Sequence, residues 1–411
     1  MSSAIAFDIP EDIRAARDGL LAFARDEVLP RHARHHALFE DHRKLYHESG
    51  RLSDAALAVI REVRMASAKA GFYQMCTPTS LGGGGLGHLA YFVCWQALFH
   101  MCGPHNSMCV YALSHWAFGP SRLLEKLSDR ARAEILAPLM DGTRSMCFGL
   151  SEPDAGSDAS MIATRARPVD GGWLVDGRKI WTSNSPIADY CVVFAVTKPK
   201  TADAAQEITA FLVPTSDPGF EVQRIVKMFG HIGGDEAELR LEGIKVEPWQ
   251  VVGEVGKGFD AALYGVSLGR IYNAARAVGT GRWAVELALD YAKTRKAFGK
   301  PIADYQGVTF PLAESACELH GAHLMGLNAA TLLDQGHRAV KELSMAKAYA
   351  VQAGVRAVDR AMQAHGAMGF TNEVGLVEAW SRLRAVNVAD GTNEILYRTV
   401  LQRMLKGDVD L

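Results

Sequence analysis

Apolar residues recur at helical spacing in the first third of the chain, at alternating spacing in the middle, and at helical spacing again towards the C-terminus. Between Pro10 and Pro30, the residues Ile13, Leu20, Leu21, Ala24 and Val28 share one helical face. A second helix is predicted from Asp54 to Ala70, with Leu57, Val59, Ile60, Val63 and Met65 as apolar positions. The run SLGGGGLG (80–87) must be a loop. No Lys-Ser/Thr follows its glycines, so a tight connection is favoured over a phosphate-binding P-loop. From about residue 145 the period becomes two. GWLVDGRKIWTS (172–183) predicts a hairpin turning at Asp176-Gly177, and YCVVFAV (190–196), ITAFLVP (208–214), FEVQRIV (220–226) and AELRLEGIKV (237–246) predict further strands. Long Ala/Leu/Val-rich helices return after Gly258, one from about Leu268 to Lys296 and another from about Lys341 to Gly366.

This order predicts an α+β chain: an N-terminal helical domain (1–143), a middle β domain (144–252) and a C-terminal helical bundle (253–411). Strands and helices do not alternate as βαβ units, and no G-x-G-x-x-G follows a strand, so a bound dinucleotide needs another device. Composition narrows the picture. A net charge of −2 gives no electrostatic reason to expect nucleic acid or an anionic membrane as partner. No apolar run reaches the ~18 residues needed to span a bilayer. Acidic Asp8, Glu11 and Asp12 argue against a transit peptide. The seven cysteines lack a C-x-x-C pair and read as reduced thiols in a cytoplasmic setting. The fourteen histidines form no metal-ligand motif, so no metal is expected.

Four segments carry candidate chemistry, and each has an ordinary reading of its own. LSEPDAGSD (150–158) offers backbone amides and the hydroxyls of Ser151 and Ser157, but Pro153, Gly156 and Ser157 also make a plain turn. In KIWTSN (179–184), Trp181 alone would be read as core. In RKAFGKPIADYQ (295–306), Arg295 suits a pyrophosphate or simply a solvated helix end. In VADGTNEIL (388–396), Asp390-Gly391 taken alone is a turn.

In this order, with QAHGAMGF (363–370) before the last of them, these segments resemble the acyl-CoA dehydrogenase family over nearly the whole chain. That resemblance implies an FAD cofactor and α,β-dehydrogenation of an acyl-CoA thioester. Phe148, Leu150, Ser151, Gly156 and Ser157 would wrap the isoalloxazine ring, Trp181 would lie against it, and Ser183 would bond near N5. Arg295, Phe298 and Gln306 would reach the FAD of a neighbouring protomer in a homodimer or homotetramer. Gln363, Gly366 and Ala367 would approach the adenosine half, although the family often has a second glycine where Ala367 stands. Thr392 and Glu394 match the last FAD contacts, and Ser157, Arg270 and Gly391 would face substrate. An electron-transfer flavoprotein would be the acceptor.

Asp390 takes the place of the catalytic base, where most of the family has glutamate. It would remove the α-proton while hydride leaves Cβ for flavin N5, and its own backbone N–H would polarise the thioester carbonyl. Aspartate is one methylene shorter, roughly 1.5 Å of reach, and proton transfer is sensitive on that scale. Some branches place the base on the earlier helix, but there VSLGRI (266–271) has Gly269. The crowded segment 91–116, with Trp95, Phe99, His105, Tyr111, His115 and Trp116, would line the distal end of the pocket and favour a short, branched, cyclic or hydroxylated acyl group, though several of these aromatics also suit a core. The alternatives are a nitroalkane-oxidising flavoprotein oxidase, which would share the aspartate, and a non-catalytic FAD- and acyl-CoA-binding subunit, against which Asp390 speaks.

Overall fold

A computed structural model describes residues 8–410, apart from the side chains of 105–107, so the expectation for His105 lies outside the described residues. The order is helices, a sheet, then helices, as the change of period predicts. The chain forms two compact units: one from Met1–Pro30, Leu86–Val110 and Arg270–Leu411, the other from Arg31–Gly85 and Tyr111–Gly269.

The second unit holds the sheet: β1 (Met146–Gly149), β2 (Arg165–Val169), β3 (Gly172–Ser183), β4 (Tyr190–Lys198), β5 (Glu207–Pro214), β6 (Phe220–Ile225) and β7 (Glu236–Val246). Their order is β1-β4-β2-β3-β7-β6, with β5 on β4. Alternation along β4 and its neighbours sends residues to two cores. Met146, Val192, Phe194 and Leu212 join Leu123, Ile135 and Leu139 on one face. Cys147, Cys191, Val193, Phe211 and Leu239 fill the other.

The hairpin expectation needs correcting. β3 runs straight through Asp176-Gly177, and the reversal lies earlier, between Val169 and its partner Gly172. Asp176 does not turn the chain; its carboxylate accepts from Gly243 N at 2.7 Å and pairs with Arg167 at 2.9 Å. Gly177 sits at an irregularity against β7, where a Cβ would lie 2.4 Å from Thr164 Oγ1. The glycine is kept for closeness, which sequence alone does not separate from turning.

Of the helices, α1 (Glu11–Phe23) buries Ile13 and Leu20 as expected, but Pro30 does not end the helical run. A π-turn (Ala24–Val28) leads into a short helix, Leu29–Arg34, whose first turn tolerates the missing N–H of Pro30. α2 (Asp54–Lys69) matches its predicted span, is capped by Ser53, and leaves Met65 outside the buried face. The four glycines form a loop, in which a Cβ on Gly83 or Gly84 would strike the backbone of Thr77 or Met75. α3 (Gly87–Cys102) and α4 (Asp129–Met140) complete the N-terminal part.

The C-terminal part comprises α5 (Gly258–Thr294), α6 (Gln306–Asp334), α7 (Val340–His365), α8 (Leu376–Val386) and α9 (Asn393–Met404). α5 begins ten residues before the expected Leu268. Its early Gly265 permits close packing: a Cβ there would lie 2.8 Å from the Trp116 ring. α7 is lined with buried alanines, and a Cβ on its Gly354 would lie 2.8 Å from the Ala277 carbonyl of α5. Small residues thus bring the α5 and α7 backbones close together, which places side chains of both beside the loop joining α8 to α9.

Candidate active site

The α8–α9 loop, residues 387–392, carries Asp390. It is pinned by Asn393, whose N and Nδ2 donate to Asn387 O and Oδ1 at 3.2 and 2.6 Å, and by Thr392, which caps α9 by accepting from Ile395 N at 3.3 Å. Within this loop Asp390 has φ +53° and Gly391 φ +98°. The left-handed region is costly for side chains in general, but aspartate enters it more readily than most. That preference suits an aspartate to this backbone better than a longer acidic side chain.

Three side chains surround Asp390. Asn273 of α5 is buried and donates from Nδ2 to Asp390 Oδ2 at 2.7 Å. Arg270, one turn earlier, donates from Nε to the Asp390 carbonyl at 3.4 Å. Lys347 of α7 is fully buried and donates to the Gly391 carbonyl at 2.8 Å. Burial pushes the Asp390 carboxyl up to about 6, against the opposing pull of Lys347, Arg270 and Asn273. Burial likewise pulls Lys347 down to about 8, partly countered by Asp390, and depresses Arg270. A carboxylate poised near neutrality among fixed cations is suited to accepting a proton. Arg270 is therefore beside Asp390 as expected. Asn273 and Lys347 escaped the sequence reading. The available signal was a lysine within the apolar run SMAKAYAVQA of a helix, which marks a buried cation in need of a partner.

In the other unit, the loop after β1 carries Leu150, Ser151, Gly156 and Ser157. Ser151 O accepts from Ile180 N at 3.0 Å, joining this loop to β3. Beneath it, Lys179 Nζ reaches Glu152 Oε1 at 2.7 Å and Leu150 O at 3.2 Å, with both side chains buried. Glu152 also accepts from Ala163 N and Thr164 N at 2.5 and 3.0 Å. Burial opposes the charge of Glu152, but Lys179 and these donors hold its carboxyl below its usual value; burial depresses Lys179. This ion pair, also missed from sequence, fastens the two candidate motifs of this unit to one another.

Trp181 is not core: it is 53% exposed, at φ +59°, where β3 slips register against β7. Asn184, at φ +69°, ends the segment and donates to Met146 O at 2.8 Å. Ser183 is part-buried at the end of β3, Gly156 and Ser157 are exposed, and Phe148 packs on Trp116 and Phe194 at 5.1 and 4.8 Å. An exposed tryptophan on left-handed backbone, on a strand bonded to the 150–158 loop through Ile180 and Ser151, leaves a ring face open to a large aromatic group.

Back in the first unit, Arg295, Phe298 and Gln306 are exposed around the hairpin of Lys296–Ala297 and Lys300–Pro301, with Phe298 96% exposed at φ +49°. Gln363, Gly366 and Ala367 are exposed at the end of α7, and Glu394 is exposed in the first turn of α9. Of the crowded segment 91–116, Trp95 is wholly buried, its ring centroid 5.7 Å from Phe99 and 4.9 Å from Tyr272. Trp116 is buried in the other unit. These two tryptophans are core residues. Among the described residues no helix is long and apolar enough to cross a membrane, and no cluster of His, Cys, Asp or Glu could hold a metal ion.

Comparison with known proteins bears on the whole chain. Residues 10–143, 147–244 and 256–405 match the N-terminal, middle and C-terminal domain models of acyl-CoA dehydrogenase. The chain is 32% identical over 346 residues to the caffeyl-CoA reductase-Etf complex subunit CarC of Acetobacterium woodii, covering 84% of this chain and 90% of that one. It is 32% identical over 336 residues to the human mitochondrial short-chain specific acyl-CoA dehydrogenase, covering 82% and 80%. The butyryl-CoA dehydrogenase structure from Megasphaera elsdenii superposes with a TM-score of 0.82 at 25% identity, covering 98% of this chain and all of that one. The expected helical–β–helical architecture is thus found with its family, and the chain belongs to the acyl-CoA dehydrogenases, FAD-dependent oxidoreductases that act on acyl-CoA.

Proposed function

We propose that the protein oxidises an acyl-CoA between Cα and Cβ, with Asp390 as the base that takes the α-proton. One observation carries this assignment: a half-buried carboxylate at about 6 on backbone at φ +53°, with Asn273 on its Oδ2, Arg270 on its carbonyl and Lys347 on the carbonyl of Gly391. Near neutral pH it is mostly ionised yet basic enough to accept a proton from carbon. The Cα–H bond breaks, the proton passes to the Asp390 carboxylate, and the Asp390 backbone N–H donates to the thioester oxygen as enolate character grows. FAD, when bound, supplies the hydride acceptor. In one unit Ser151, Ser157, Trp181 and Ser183 would face its ring; Arg295, Phe298 and Gln306 would hold the FAD of a neighbouring protomer, which makes the active form at least a homodimer. The extreme exposure of Phe298 supports that assignment.

A short acyl group is the favoured substrate, with branched or hydroxylated groups close behind, supported by the human short-chain relative and the butyryl-CoA dehydrogenase structure. The Etf complex of the Acetobacterium relative supports an electron-transfer flavoprotein as redox partner. The same relative favours a second reading, reduction of an aryl-acrylyl-CoA, in which Cβ would receive a hydride drawn from an electron-transfer flavoprotein through FAD and protonated Asp390 returns a proton to Cα. Seven free cysteines are in keeping with a reducing, cytoplasmic setting.

Anaerobic titration of the holoenzyme with short, branched, hydroxylated and aryl-propionyl-CoAs decides among these. Flavin bleaching by a short or branched thioester, lost in Asp390→Asn, supports the proposal. Bleaching only by aryl-propionyl-CoA moves the function to the second reading. Bleaching that survives in Asp390→Asn removes Asp390 as the base.

A further inference from the structure

We infer that Asn273 is a positioning residue that aims the Asp390 carboxylate and keeps it ionised. The inference rests on Asp390 being the base. Asn273 lies three residues after Arg270, so the two project from the same face of α5 towards one loop. Arg270 takes the backbone carbonyl of Asp390, and Asn273 takes its side chain through a 2.7 Å bond to Oδ2. Among the described residues Oδ2 has this single donor and Oδ1 has none, so one oxygen is anchored while the other stays available to a proton.

An aspartate has only two side-chain torsions, and its backbone here is already fixed at φ +53° by the loop. Anchoring one oxygen therefore fixes the direction of the other. A shorter base must be aimed more closely than a longer one, because it cannot make up an error in position by extending. Asparagine suits this place because its N–H donors never ionise, whereas a second carboxylate would repel the base. Asn273 is itself buried, so its aim does not relax into solvent. The other charged groups facing this carboxylate are Arg270 on α5 and Lys347 on α7; Glu394 on α9 acts on Lys347. Neither cation donates to the carboxylate oxygens among the described residues: Arg270 and Lys347 hold backbone carbonyls.

The test uses holoenzyme and a thioester that bleaches the wild-type flavin. Asn273→Leu keeps the branched outline, at a somewhat larger volume, and removes the donor; Asn273→Asp keeps the shape and adds a charge. For Asn273→Leu, kcat should fall roughly 10- to 100-fold with KM changed less than about threefold. The rising limb of kcat/KM against pH should move up by about one to two pH units, as expected on removing a hydrogen bond to a charged group. Asn273→Asp should move the limb in the same direction and at least as far. Any residual turnover of Asp390→Asn should be unchanged in the double variant Asn273→Leu/Asp390→Asn, because Asn273 acts only through the base. An unmoved limb in either folded single variant, with Asp390→Asn inactive, overturns the role of Asn273 and leaves the base standing. Full activity in Asp390→Asn overturns the base itself.

Discussion

Replacing Asp390 by asparagine should destroy activity and at the same time stabilise the fold, by an amount that depends on pH. Moving a carboxyl from its ordinary 3.8 to about 6 means that the folded state binds the proton more tightly than the unfolded chain does. The contribution of Asp390 to stability is therefore full below pH ~4, falls by about 1.4 kcal/mol per pH unit between ~4 and ~6, and is flat above. At neutral pH the ionised aspartate costs the fold at most about 3 kcal/mol. Asparagine has nearly the same shape, tolerates the same left-handed backbone, and its amide oxygen can still accept from Asn273. Urea unfolding of wild type and Asp390→Asn, in matched excess FAD from pH 4 to 7, isolates this difference, since the change of Lys347 lies higher, from about 8 upwards. The variant should gain on the wild type as pH rises and level off near pH 6.5. A difference that is constant over this range, or that favours the wild type at pH 7, refutes the raised carboxyl and with it the poised base.

Other expectations follow from the same geometry. The rate constant kcat/KM for the bleaching thioester should rise with pH and level off above a midpoint near 6, following ionisation of Asp390, as a stopped-flow pH series would show. Lys179→Met leaves Glu152 buried without its cation and should cost about 3–5 kcal/mol in chemical unfolding. Trp181→Ala removes an exposed ring, so it should change apoprotein stability by less than about 1 kcal/mol while weakening FAD retention on gel filtration. Gly391→Ala, at φ +98° and 3.5 Å from Arg270 Nη2, should cost about 1–3 kcal/mol and lower kcat, measured by thermal unfolding and steady-state turnover.

The architecture was legible because the period of apolar residues changes from helical to two and back, and such changes survive local irregularity. One neighbourhood was legible as well: Arg270, expected near Asp390, donates to its carbonyl. What escaped has a common physical cause. Gly177 serves close packing, and a glycine kept for space looks in sequence like a glycine kept for a turn. Asn273, Lys347 and the Glu152–Lys179 pair are polar residues inside elements whose pattern is otherwise apolar. Their partners lie 27 to 117 residues away, so no local window shows that the charge or amide is satisfied. Trp181 was ambiguous for the opposite reason. Hydrophobic character argues for burial, and only the bulge in β3 turns the ring outward.

The Glu152–Lys179 pair also constrains the history open to this chain. Either residue could be replaced by an apolar one if the other changed with it, since two matched apolar side chains can fill such a site about as well as an ion pair. Changing one first strands a charge in the core at a cost comparable to much of a protein's net stability. A lineage can therefore leave this arrangement only by two substitutions arriving nearly together, or by first accumulating stability elsewhere. The two positions, 27 residues apart, should be inherited as one character, and related sequences that have lost the lysine should have lost the glutamate too.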